Sequence, residues 1–223
     1  LSVGKPFFIL TVMNLTVHYI WIGTDVPSKY LSNFQKCASL NPNYNFQIWK
    51  TDDCVKLLKE HDLLEYWSTL SFICKCNLLK YLILNKFGGI YTDFDITWKV
   101  KFDKILYDFN FPGVDLLLTI IDNNPIRVDG QLVQLYDDPF IVSKPNILGS
   151  CINFCKNRKD LKYDGELYKT TKTLKTHTLE PIGPFGLTEW LFKHPTKINA
   201  FNQSVLLDHN GYFGIHEQKG AWR

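Results

Sequence analysis

This sequence has one methionine, Met13, no Cys-x-x-Cys pair, no basic run and no uninterrupted apolar span of membrane length. Each absence excludes something. Six cysteines are present, but Cys74 and Cys76 lie two apart, so a helix would point them to different faces. Cys151 and Cys155 would share a face yet have no Cys or His nearby in sequence, so a structural zinc site is not expected. Free buried thiols in a reducing compartment are then expected, which implies a cytoplasmic location. The net charge of +3 is dispersed, and Lys172 and Lys175 are too sparse in their Thr-rich stretch to form a nucleic-acid footprint. The apolar stretch from Pro6 to Ile22 is interrupted by Asn14, Thr16 and His18 and lacks the flanks and cleavage site of a signal peptide. Met13 suggests a native start, with residues 1–12 coming from a vector or from upstream sequence and 13–223 forming one domain.

What is present is the balance of a globular protein: 45% hydrophobic and 21% charged residues. An aromatic share of 15% supplies either core filling or flat surfaces for stacking rings and sugars. Val17 to Ile22 reads as a first strand closed by Gly23, and Pro27 can open a helix to about Leu40. Phe46 to Trp49 is a second strand, and Thr51 is placed to cap a helix from Asp52 to His61. The clearest helix runs from Leu70 to Lys86, with apolar residues at spacings of three and four, and Gly88-Gly89 stops it. Val114 to Ile121 reads as a central strand, and Val133 to Val142 as a hairpin or sheet edge. Asn146 to Cys155 reads as a helix, Lys159 to Thr178 as a surface helix and loop, a short helix is capped by Thr188, and Ser204 to Leu207 is a last strand. The alternation of strands and helices in the first half implies an α/β fold with a mostly parallel central sheet flanked by helices.

The chemistry concentrates in Gly88-Gly89-Ile90-Tyr91-Thr92-Asp93-Phe94-Asp95. A strand that ends in two carboxylates one residue apart would aim both to one face, at the end where open α/β sheets bind ligands. Two like charges so close call for a cation. Hard oxygen donors suit Mn²⁺ or Mg²⁺, which bind one or two carboxylates together with substrate phosphates and act as Lewis acids.

The run from Cys76 to Asp95 resembles the signature of family 32 glycosyltransferases and that of the glucosyltransferase domains of large clostridial toxins. Val17 to Gly23, Asn41-Pro42 followed by Trp49, Gly183-Pro184 followed by Leu187-Thr188, and His216 followed by Trp222 resemble further blocks of the same families. The resemblance implies a GT-A type fold and a retaining, metal-dependent transfer of a sugar from a nucleotide-sugar, a UDP-sugar first, to an acceptor hydroxyl. It implies Asp93 and Asp95 at the catalytic centre, Asp95 and His216 on the metal, Mn²⁺ or Mg²⁺. It implies a donor held by Trp21, Ile22, Asn77, Lys80, Tyr91, Asp93 and Trp222. Trp21 would flank the base, Asp93 would contact ribose and sugar, and Trp222 would close over the diphosphate. Two departures stand out. The related enzymes carry Asp-x-x-Arg where this chain has Asn77 and Lys80, and Gly220-Ala221 precede Trp222 where a Ser is frequent. Asn77 and Lys80 are expected to lie off the apolar face of their helix, free to choose the donor sugar. A degenerate nucleotide-sugar-binding module, or a nucleotide-sugar hydrolase, is the alternative.

Overall fold

Thr16–Trp21, β-branched and aromatic, forms β1, and its alternation divides the core. Val17 and Tyr19 face one apolar layer, while Ile20 faces the other. A strand apolar on both sides needs neighbours at both edges, and β1 pairs in parallel with β2 (Asn45–Lys50) and β3 (Gly89–Thr92). The computed structural model describes residues 15–121, 126–157, 182–202 and 211–217, with the side chains of 126 and 127 left aside. Residues 1–12, Met13, the segment from Lys159 to Thr178, the strand expected from Ser204 to Leu207, and Trp222 lie outside them.

Helix α1 (Ser28–Leu40) links β1 to β2, and α2 (Thr51–Glu60) follows at once. Thr51 is the first helical residue rather than the expected cap. The Lys50 N–H donates to Asp53 Oδ2 at 3.2 Å, and Thr51 Oγ1 instead accepts from the N–H of Gly23 at 3.0 Å. After α3 (Leu64–Thr69), the Ser71 hydroxyl accepts from the Cys74 N–H and starts α4 (Phe72–Phe87). Gly88 ends α4 at φ +64°, and Gly89 follows at φ +96°. A Cβ on Gly89 would lie 2.4 Å from the Thr16 carbonyl oxygen, so only glycine lets β3 come alongside β1 there.

The six-stranded sheet has the order β2-β1-β3-β8-β5-β9, with β5 at Leu116–Ile120, β8 at Tyr136–Ser143 and β9 at Ile198–Asn202. Only β8 runs against the others, between β3 and β5. This is the mostly parallel α/β sheet flanked by helices that the sequence implies, with one correction. The Val133 to Val142 stretch is no sheet edge: Phe140, Ile141 and Val142 are fully buried in a central strand. The hairpin lies upstream, between β6 (Ile126–Val128) and β7 (Gln131–Val133). The register of β5 against β8 jumps between Leu117 and Thr119, and Pro139 sits within that bulge. Beyond β3 come β4 (Ile96–Trp98), α5 (Phe102–Asp108) and, after β8, α6 (Gly149–Asn157). Helix α7 (Pro184–Lys193) starts four residues before Thr188, the expected cap. Thr188 is buried, and its hydroxyl accepts from the Tyr136 N–H at 2.9 Å, tying α7 to β8. Strand β10 (Gly214–His216) pairs antiparallel with β4. None of the six cysteines forms a disulfide.

His18 bolts three of these elements together. Its Nε2 lies 3.0 Å from the Gly88 carbonyl, and the Trp49 indole N–H donates to Nδ1 at 3.1 Å. Those partners require the neutral tautomer with the proton on Nε2. Burial lowers its pKa from 6.5 to about 4, against the opposing hydrogen bond to Gly88. Below pH 6.5 the unfolded chain takes up a proton that the folded chain refuses. His18 therefore contributes stability in full above that value and loses it as pH falls toward 4, on the order of 3 kcal/mol at most. Acidification from about pH 7.5 to about pH 5 should lower the melting temperature more in the wild type than in His18→Gln. Parallel acid profiles of the two proteins would remove His18 from the account.

Candidate active site

The two carboxylates are aimed by a turn, where strand alternation was expected to do it. β3 stops at Thr92, Asp93 leaves the sheet, and Phe94 and Asp95 form the turn into β4. Three elements hold this turn by its backbone. The Asp93 N–H donates to the Pro139 carbonyl in the β8 bulge at 2.9 Å. The Asn33 amide, buried on α1, donates to the Phe94 carbonyl at 3.1 Å and is itself oriented by the Thr97 hydroxyl at 3.1 Å. The Glu217 N–H donates to the Asp95 carbonyl at 2.9 Å. The Phe94 ring anchors the turn's apolar side against Tyr19, at 4.7 Å between centroids, and against the edge of Trp21 at 5.6 Å.

The pairing of His216 with Ile96 across β10 and β4 sets the imidazole beside Asp95. Its Nε2 lies 3.3 Å from Asp95 Oδ1. One donor atom each from Asp93, Asp95 and His216 falls within a 4.8 Å cluster. Asp95 is fully buried, yet neither of its carboxylate oxygens accepts a well-aligned hydrogen bond, and His216 Nδ1 is also without a partner. A buried carboxylate lacking donors is costly unless a cation meets it. The donor set, two carboxylates and an imidazole, suits a hard or borderline divalent ion. The surrounding electrostatics agree. Burial, opposed by Lys80 and reinforced by Asp95, pushes the Asp93 carboxyl up to about 7. Burial lowers the pKa of His216, but contact with Asp95 and the nearby Asp93 and Asp137 outweigh it and leave the imidazole more basic than usual.

Behind Asp93 lies a second buried network. The Tyr91 hydroxyl donates to Asp93 Oδ1 at 2.6 Å, and the Lys80 ammonium sits 4.6 Å from the Tyr91 ring centroid. Lys80 Nζ donates to Asp138 Oδ1 at 2.9 Å and to its carbonyl at 2.8 Å, and the Tyr81 hydroxyl donates to Asp138 Oδ2 at 2.8 Å. Asn77 donates to the Ile182 carbonyl at 3.0 Å. Here the sequence reading needs correcting. Asn77 and Lys80 are 5% and 3% exposed, in a helix buried on nearly all sides from Asn77 to Leu84, so the core does depend on them.

The remaining residues named from the sequence divide. Trp21 is half-buried beside Phe94, with its indole N–H unpartnered, while Ile22 packs on the opposite, α4 side of the sheet. Asn33, Asp137 and Asp138 were missed. Asp137 accepts from the Asp138 N–H at 2.9 Å, and burial, reinforced by Asp138, raises its pKa to about 6. The available signal was Asp137-Asp138-Pro139 leading into the apolar run of β8, two acids that a buried strand tolerates only when they are paired.

Two carboxylates beyond the end of an open α/β sheet, joined by an imidazole from β10, form a donor set that suits a divalent cation. Residues 27–112 match the family described as the glycosyltransferase sugar-binding region containing the DXD motif. Within that segment the chain is similar to the sugar-binding region of the DXD-motif glycosyltransferases. It is 30% identical over 95 residues to inositol phosphoceramide mannosyltransferase 3 of Schizosaccharomyces pombe, covering 41% of this chain and 26% of that protein. It is 29% identical over 97 residues to a mannosyl phosphorylinositol ceramide synthase of Saccharomyces cerevisiae, covering 40% and 24%. The matches thus span about a quarter of the length of these relatives. Among solved structures, the PaToxG glycosyltransferase aligns with 80% of this chain and 68% of its own at 17% identity and a TM-score of 0.49. Among the described residues, no helix is long and apolar enough to cross a membrane.

The buried Asp95 carboxylate yields a prediction. Asp95→Asn removes a buried charge from beside Asp93, so in chelator it should melt no lower than the wild type. Added Mn²⁺ should raise the melting temperature of the wild type and leave that of Asp95→Asn unmoved. A metal-induced rise of equal size in both proteins would exclude Asp95 as a ligand.

Proposed function

We propose that this chain is the catalytic region of a retaining, metal-dependent glycosyltransferase that transfers a hexose from a nucleoside diphosphate sugar to an acceptor hydroxyl. The observation that carries the reading is the fully buried Asp95 carboxylate, with no aligned hydrogen bond on either oxygen and grouped with Asp93 and His216. Asp95 and His216 would hold the cation, Mn²⁺ ahead of Mg²⁺, and a cation there neutralises charge on the departing diphosphate. Asp93, fixed by Tyr91, would accept hydrogen bonds from ribose or sugar hydroxyls. Trp21, half-buried at the end of β1 with a free indole N–H, would flank the base, and Trp222 would close over the diphosphate. The sequence resemblance favours a UDP-sugar. The two relatives, named for mannosyl transfer to inositol-containing ceramide lipids, make a nucleoside diphosphate mannose the second donor to test. A binding module without turnover is the rival reading, motivated by Asn77 and Lys80, which are engaged inside the protein.

Thermal shift and turnover with UDP-glucose, UDP-galactose and GDP-mannose, with Mn²⁺ and with chelator, separate these readings. The proposal expects a metal-dependent shift for one donor, release or transfer of its sugar, and a rate loss on the order of 10²- to 10³-fold or more in Asp95→Ala. A metal-dependent shift without turnover of any donor would favour the binding module. Equal donor binding in chelator and in Mn²⁺ would defeat the metal-dependent reading.

A further inference from the structure

Lys80 is buried, and a buried ammonium persists only with a carboxylate beside it. Its counter-ion comes from another element, Asp138 in the β8 bulge, at 2.9 Å. The neighbouring position on its own helix, three residues back, is Asn77. An acid there would reach Lys80, because side chains three apart share a helix face. Asn77 instead donates its amide to Ile182, which fastens α4 to the segment entering α7. We propose that Asp138, through its pairing with Lys80, is a positioning residue for the donor-sugar end of the site. This rests on the glycosyltransferase reading above.

The geometry gives a continuous route. Asp138 is fixed on one oxygen by Lys80 and on the other by Tyr81. Lys80 in turn lies over the Tyr91 ring, and Tyr91 donates to Asp93. Pro139, the next residue along β8, accepts from the Asp93 N–H, so the same bulge holds Asp93 by backbone and by side chains. Asp138 therefore sets where the Asp93 carboxylate points, although neither it nor Lys80 has appreciable surface to offer a ligand. The pair is closed off by the core, so Asp138 acts on a ligand only through Asp93.

The test compares wild type, Asp138→Asn, Asn77→Asp, the double variant Asn77→Asp with Asp138→Asn, and Lys80→Met with Asp138→Asn. Each is measured for melting temperature and, with Mn²⁺, for affinity toward the preferred nucleotide-sugar and toward the bare nucleoside diphosphate. Asp138→Asn strands a buried ammonium, and Asn77→Asp adds a second acid while losing the bond to Ile182. Each single variant should melt low and bind the nucleotide-sugar about tenfold more weakly or worse. The double variant restores one acid to one lysine. It should melt above the level that adding the two losses gives, and recover nucleotide-sugar affinity relative to both singles. Lys80→Met with Asp138→Asn strands neither partner of the pair. It should fold, yet lose affinity for the nucleotide-sugar more than for the nucleoside diphosphate, a split that a merely structural pair would not produce. Additive melting losses, or wild-type nucleotide-sugar affinity in the neutral pair, would overturn the inference. If the wild type binds no nucleotide-sugar, the glycosyltransferase reading fails and the claim on the donor site falls with it. The melting cycle then still decides whether an acid at position 77 can take over the pairing of Asp138 with Lys80.

Discussion

The Asp95 carboxylate is enclosed by protein on every side, and no donor is aligned on either of its oxygens. Much of the surrounding structure is arranged to keep it there. Its backbone carbonyl is held by Glu217, the preceding carbonyl by Asn33 and the Asp93 N–H by Pro139, so three elements distant in sequence converge on a turn of three residues. β4 begins immediately after the turn and pairs with β10, which delivers His216 to the same spot. Unfilled, such a site is a standing cost to the fold, and sites of this kind persist where the strain serves a ligand.

The charge balance sharpens this. Asp93, Asp95, Asp137 and Asp138 are set against Lys80 and His216, so carboxylates outnumber cationic side chains even with the imidazole protonated. Lys80 is committed to Asp138, which leaves the excess near Asp93 and Asp95. A divalent cation would remove that excess. The aromatic layer of Tyr19, Phe34 and Phe94 beneath the turn gives it a rigid floor.

How far the sequence could be read follows from what is local. β1 and α4 were legible because their apolar spacing and their stops, Gly23 and Gly88-Gly89, lie within a few residues of one another. The Asp93-x-Asp95 motif was legible for the same reason, and His216 through resemblance of motif order. Features created by distant pairing were not. β8 read as an edge because Asp137 and Asp138 make it polar, and only its place between β3 and β5 shows those acids to be internal. Asn77 and Lys80 looked solvent-facing because helical periodicity cannot register a second layer, here α6 and β8, covering the other side of α4. Asn33 carried no signal at all, since its partner, the Phe94 carbonyl, lies 61 residues away.

The central claim is that Asp95 and His216 form a cation site. Anomalous diffraction from a crystal of the protein soaked in Mn²⁺ tests it most directly. The account predicts one strong peak within roughly 2–2.5 Å of an Asp95 carboxylate oxygen and an imidazole nitrogen of His216. Mn²⁺ bound elsewhere with that cluster empty, or no ordered Mn²⁺ at millimolar concentration, would contradict it.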